Sequence, residues 1–138
     1  MPRAREAARR ALELDPSLPE ASALLGTVAA AYDYDWEEAK RRLDLALHRS
    51  AVPPLVHRQY AFYYLLPTGR REEAAQEYRR AVEQDPLNVQ FRYGVGICLA
   101  AAERFAESES EFRLILEIYP LNGMALSLLA LLSPEGQP

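Results

Sequence analysis

The chain has 138 residues, of which 49% are hydrophobic and 26% charged: enough for one compact domain or one short repeat array, and unlike a disordered polymer. Its net charge of −4 argues against a nucleic-acid binder, because affinity for a phosphate backbone comes mainly from lysine and arginine. The single cysteine, Cys98, excludes an intramolecular disulfide and a cysteine-only metal site.

The start, MPRAREAARRALELDP, is charged, carries no apolar signal core and predicts a helix over 3–14. Apolar residues then recur at helical spacing over 19–32, 36–49, 54–66, 70–84, 88–102, 105–118 and 122–132. Pro19 and Pro54 fall in first turns, where a missing N–H costs nothing, and Gly69 is placed to turn the chain before the next helix. No strand is predicted. No apolar run approaches the roughly 20 residues of a membrane helix, so the expected location is the cytoplasm with no membrane partner. Lys40 is the only lysine; the arginines come in pairs interleaved with glutamates, as on solvated helix faces, and suggest GC-rich, bacterial coding.

AYDYDWEEA, residues 31–39, crowds acids and aromatics between the second and third predicted helices. Asp35 is placed as an N-cap with Glu38 completing a capping box, and Glu37 and Glu38 sit beside the positive end of the helix dipole. Trp36 takes the slot that Phe105 fills later, packing the turn. Asp33, Asp35 and Glu37 lack the glycine turn and ligand spacing of a calcium loop. The stretch is read as a capped turn, and Glu72-Glu73 repeat it.

The helices repeat with a period of 34 to 35 residues. Ala11, Ala46, Ala81 and Ile115 form one column; Ala8, Leu43, Tyr78 and Phe112 a second; Ala4, Ala39, Ala74 and Ser108 a third. Pro16, Pro86 and Pro120 close units, with Ala51 where a fourth proline would fall. Such columns predict an all-α solenoid. They resemble the tetratricopeptide repeat, W-x2-L-G-x2-Y, then A-x3-F, then P. Leu25-Gly26 and Val95-Gly96 stand at its Leu-Gly pair, and EEAKRRLDLAL, EEAAQEYRRAVEQDP and ESESEFRLILEIYP give its second helix. Ser22, Arg58 and Arg92 replace the tryptophan, and Phe62 the small residue, which is expected to push its two helices apart.

The resemblance implies a right-handed α-solenoid of antiparallel helix pairs, about three full repeats with a half repeat at each end. The expected divisions are 1–18, 19–53, 54–88, 89–122 and 123–138, within a single array. It also implies a non-catalytic scaffold that binds a peptide segment or helix of a protein partner in a concave groove, without cofactor or metal. Aromatic and acidic turns of this kind resemble repeat arrays of multidomain bacterial signalling proteins. This gives the alternative, a self-association module of a larger signalling or transcription-regulatory protein. A third reading, an RNA-binding helical repeat, is opposed by the acidic balance.

Other residues carry no convergent chemistry. His48 and His57 are expected at surfaces or turns, and Cys98 as a buried inert thiol. The GVG at 94–96 lacks a third glycine and a preceding strand, so its glycines are read as allowing close helix approach. ESESE at 107–111 is read as a solvated helix start, with Ser108 and Ser110 as phosphorylation candidates.

One stripe of each first helix is expected to face its partner helix, and residues displaced by one position, about 100° round, to line the groove. That set is Ala23, Thr27 and Ala30, then Gln59, Tyr63 and Leu66, then Gln90, Tyr93, Ile97 and Ala100. It is apolar and aromatic, without the lysines and asparagines that clamp a terminal carboxylate, and Tyr63 and Tyr93 are its expected anchors. The last helix, GMALSLLALL, is apolar on most of its surface, so a homodimer through Met124, Leu128, Leu131 and Leu132 is also expected.

Overall fold

The computed structural model describes residues 2–133. Eight α-helices and no strand occupy them: α1 Pro2–Leu14, α2 Pro19–Val28, α3 Trp36–Leu47, α4 Pro54–Tyr60, α5 Arg71–Gln84, α6 Val89–Ala101, α7 Phe105–Ile118 and α8 Gly123–Leu132. Two run on into a π turn, Ala29–Asp33 after α2 and Ala61–Leu65 after α4. A π turn holds one more residue than an α turn, so each adds length without ending the helix.

Local chemistry explains the boundaries. Prolines open α2 and α4 from first-turn positions. Asn88 and Asn122 cap α6 and α8 by accepting from Gln90 N–H at 3.1 Å and Ala125 N–H at 3.0 Å. Asp35 caps α3 by accepting from Glu38 N–H at 3.0 Å, but the capping box is only half made. Asp35 N–H donates to Ala29 C=O at 2.9 Å, closing the π turn, and the Glu38 carboxylate accepts from Arg41 and Arg42 instead. Tyr34, Gly69 and Glu103 all adopt positive φ (54°, 81° and 62°) just before α3, α5 and α7. They form a further column, stepped by 35 and 34 residues. Only the glycine signalled itself, because Tyr and Glu occupy the left-handed region against their preference.

The chain divides into two compact units, Met1–Arg70 and Arg71–Pro138. The boundary lies between the two helices of the expected 54–88 repeat. In the first unit, Ala23, Leu43, Ala46 and Val56 form a core flanked by Leu47, Val52, Tyr60 and Tyr64, while Ala8, Ala21 and Leu25 hold α1 on α2. A Cβ on Gly26 would stand 2.8 Å from Leu43 Cγ, so its absence sets the spacing of α2 and α3. In the second unit, Tyr93, Phe112, Ile115 and Ala125 join α6, α7 and α8. There a Cβ on Gly96 would meet Phe112 Cε1 at 2.6 Å, and one on Gly94 would meet Tyr78 Cε1 at 2.1 Å. The glycines of GVG thus serve close helix approach. Ser108, in the alanine column, is fully buried and donates to Gly96 C=O at 2.6 Å. It is therefore not part of a solvated helix start.

The repeat's small residue here is Ala61, fully buried at the start of the π turn after α4, and not Phe62, which is 48% exposed. Gly26, Ala61 and Gly96 stand at even steps of 35, whereas reading Phe62 there requires 36 and 34. Phe62 points to solvent. The same shift puts His57, buried at 7% exposure, in the column of Ser22 and Arg92, which corrects both its expected surface position and the assignment of Arg58.

Candidate protein-interaction surfaces

The one-residue correction in α4 changes which residues correspond. Thr27 and Ile97 align with Phe62, and Ala23 and Tyr93 with Arg58. The expected members Gln59, Tyr63 and Leu66 are half-buried and lie one step, about 100°, round from that stripe. Ala23, Thr27 and Ala30 are buried (0%, 7% and 2% exposed), sealed by the packing of the first unit. Thr27 Oγ1 and Gln59 Oε1 are also buried and have no hydrogen-bond partner among the described residues.

Tyr93 is 5% exposed: its ring packs with Phe112, Ile115 and Ala125, and its hydroxyl donates to the Oδ1 of Asn122, the residue that caps α8. It is a core residue and not an open anchor. Gln90 and Ile97 are exposed, and Ala100 is half-buried. The outward apolar groups are therefore Leu55 (46%) and Phe62 (48%) in the first unit, and Ile97 (45%) in the second. Leu55 and Phe62 were missed because the register was read one residue late. Phe62 is braced edge-on against Tyr63, centroids 5.0 Å apart. Behind them Tyr60 stacks on Tyr64 at 5.7 Å, and Trp36 tilts onto Tyr64 at 6.3 Å while staying 39% exposed.

On α8, Met124 (56%) and Leu131 (69%) are exposed, while Leu128 and Leu132 are half-buried against the Tyr93–Phe112 core. Leu121 (93%) and Leu126 (48%) extend the exposed surface. Beside them lies an apolar depression of about 520 Å³ lined by Val89, Ile118, Tyr119, Pro120, Leu121 and Asn122.

Cys98 is fully buried, and burial pushes its thiol up to about 12, so it carries no thiolate near neutrality. His48 is exposed with its Nδ1 2.6 Å from Asp44 C=O. Among the described residues no three His, Cys, Asp or Glu side chains converge on a point that would hold a metal, and no helix is long and apolar enough to cross a membrane.

Helix pairs of about 35 residues, closed on small-residue contacts, define the chain as an all-α helical-repeat protein. The sequence profile described as tetratricopeptide repeat matches residues 61–123, and similar solved structures are proteins of the same kind. The chain has the fold of the tetratricopeptide-repeat proteins, and its residues 61–123 match that family's profile. It superposes on YrrB, "a TPR protein with an unusual peptide-binding site", with TM-score 0.73 and 25% identity, over 94% of this chain but 66% of that one. The Arabidopsis OM64 TPR domain gives 0.68 and 21% identity, over 83% of this chain and 93% of that one. The second TPR domain of human RPAP3, solved in complex with an HSP70 peptide, gives 0.67 and 17%, over 83% and 97%. No curated protein matches the sequence.

Proposed function

We propose that the chain is a non-catalytic protein-interaction scaffold that binds a peptide segment or amphipathic helix of a protein partner. The observation that carries this is the exposed pair Leu55, on α4, and Phe62, in the π turn that continues it, seven residues or about two turns apart. Ile97 holds the equivalent position on α6. A braced aromatic beside an aliphatic group presents large apolar area at little entropic cost, which is what an interface anchor requires. That YrrB has a peptide-binding site and RPAP3 binds an HSP70 peptide supports the reading. Peptides selected from a displayed random library against the whole chain should lose about 2 kcal/mol of affinity, roughly thirtyfold, on Phe62→Ala. The melting temperature should hold, since the ring is half in solvent. Selected peptides that bind the variant unchanged would reject α4 as the anchor.

A second reading is self-association through α8, the alternative that would suit a module of a larger regulatory protein. The exposed Met124, Leu126 and Leu131 favour it, because a contiguous exposed apolar face marks an interaction surface. Sedimentation velocity should show a concentration-dependent dimer that Leu131→Glu dissociates. A monomer at every concentration would remove this reading and leave the first intact.

A further inference from the structure

The first unit holds a charged pocket that the α4 surface does not use. It lies over Leu25, Val28 and Ala29 of the α2 segment, encloses about 80 Å³, and is walled by Arg5 and Arg9 of α1, Asp33, and Glu38 and Arg42 of α3. Three guanidinium groups there face two carboxylates. Both carboxylates are committed: Asp33 accepts from Arg5 at 2.8 and 2.9 Å, and Glu38 is shared by Arg41 and Arg42 at 2.8 and 2.7 Å. Arg41 first, and then Arg42, hold the Glu38 carboxyl below its ordinary range, so it stays ionised and occupied. Arg9 has no carboxylate partner among the described residues.

The second unit supplies an internal control. By the repeat columns, Arg9 corresponds to Arg79, Glu38 to Glu107, Arg42 to Glu111, and Arg5 to Ala75. There Arg79 lies 3.9 Å from Glu107, and Glu111 lies 3.9 Å from Arg92. Glu107 is held more closely by Arg104, at 2.7 Å, so each of these three arginines has a glutamate within 4 Å. The same place in the first unit has Arg42 for Glu111, while its additional arginine, Arg5, comes with its own partner Asp33. Fold alone does not require an arginine without a carboxylate, since Arg79, the counterpart of Arg9, has Glu107 within 4 Å.

We propose that the pocket between α1, α2 and α3 binds a carboxylate of an acidic peptide segment. The Arg9 guanidinium donates to it, Arg42 supplies the second positive wall, and the apolar floor takes the side chain's methylenes. A cavity of about 80 Å³ is small enough to admit a single side-chain group and no larger ligand. The occupant is complementary in charge to the unbalanced arginine and to nothing else on the pocket wall. Because the whole chain carries −4, diffuse attraction to a polyanion is absent, and saturable binding requires a local cationic site.

The test is titration of the full chain with hexaglutamate by calorimetry at low salt, with hexaglutamine as the neutral control and inorganic phosphate as competitor. Saturable binding of hexaglutamate alone is expected, weakening as salt screens it. Arg9→Gln, at an exposed position, should weaken it about tenfold, the equivalent of one charge-assisted hydrogen bond. Arg42→Glu, which installs the second unit's residue, should abolish it, and Arg10→Gln should leave it unchanged. Equal affinity in Arg9→Gln, or no saturable binding by the unaltered chain, overturns the proposal. Phosphate binding as tightly as hexaglutamate would overturn the peptide assignment.

Discussion

Tyr93→Ala should lower the stability of the second unit by about 4 kcal/mol, the range for removing a buried aromatic ring. The ring is 5% exposed against Phe112, Ile115 and Ala125, and truncation opens a cavity where three helices meet. The hydroxyl has a separate role. It donates to Asn122, whose side chain also accepts from Ala125 N–H, so it holds the cap that starts α8. Tyr93→Phe, which keeps the ring, should therefore cost only about 1 kcal/mol. Urea unfolding followed by circular dichroism measures both. A Tyr93→Ala protein that unfolds like the unaltered chain but loses peptide affinity would return Tyr93 to the role of anchor.

Gly94→Ala should lower stability by about 2 kcal/mol, although alanine is the better helix former by about 1 kcal/mol. Propensity and packing oppose each other here, and distance decides between them. The new methyl group would stand 2.1 Å from Tyr78 Cε1, inside any real contact, and that ring is only 4% exposed with little room to turn. Gly123 provides the contrast, because a Cβ there meets nothing within 4 Å. Gly123→Ala should be neutral or stabilising by about 0.5 kcal/mol through the unfolded chain. Equal effects at the two glycines in the same unfolding assay would contradict the packing account.

The two surfaces show how far side-chain identity reaches without coordinates. GMALSLLALL announces an apolar helix, and Met124 and Leu131 are exposed as read. Leu128 and Leu132 turn inward, because the Tyr93–Phe112 core lies on that side. Arg9 and Arg42 looked like ordinary solvated residues of paired arginines. They are 33 positions apart in sequence, and only the packing of α1 and α3 on α2 puts them around one pocket.

By itself the sequence determined the helices, their repeat and the family resemblance. These follow from local causes: apolar spacing, prolines in first turns, polar caps, and columns stepped by about 35 residues. Only the tertiary structure decided the phase of α4, the burial of Tyr93 and the π turns that follow α2 and α4. The physical reason is the helix's own geometry. One residue of slip turns a side chain by about 100°, enough to exchange Ala61 for Phe62 at a helix contact, while leaving the apolar pattern nearly as good. Composition and period do not resolve a slip of that size; the close packing of Leu43 on Gly26 and Phe112 on Gly96 does.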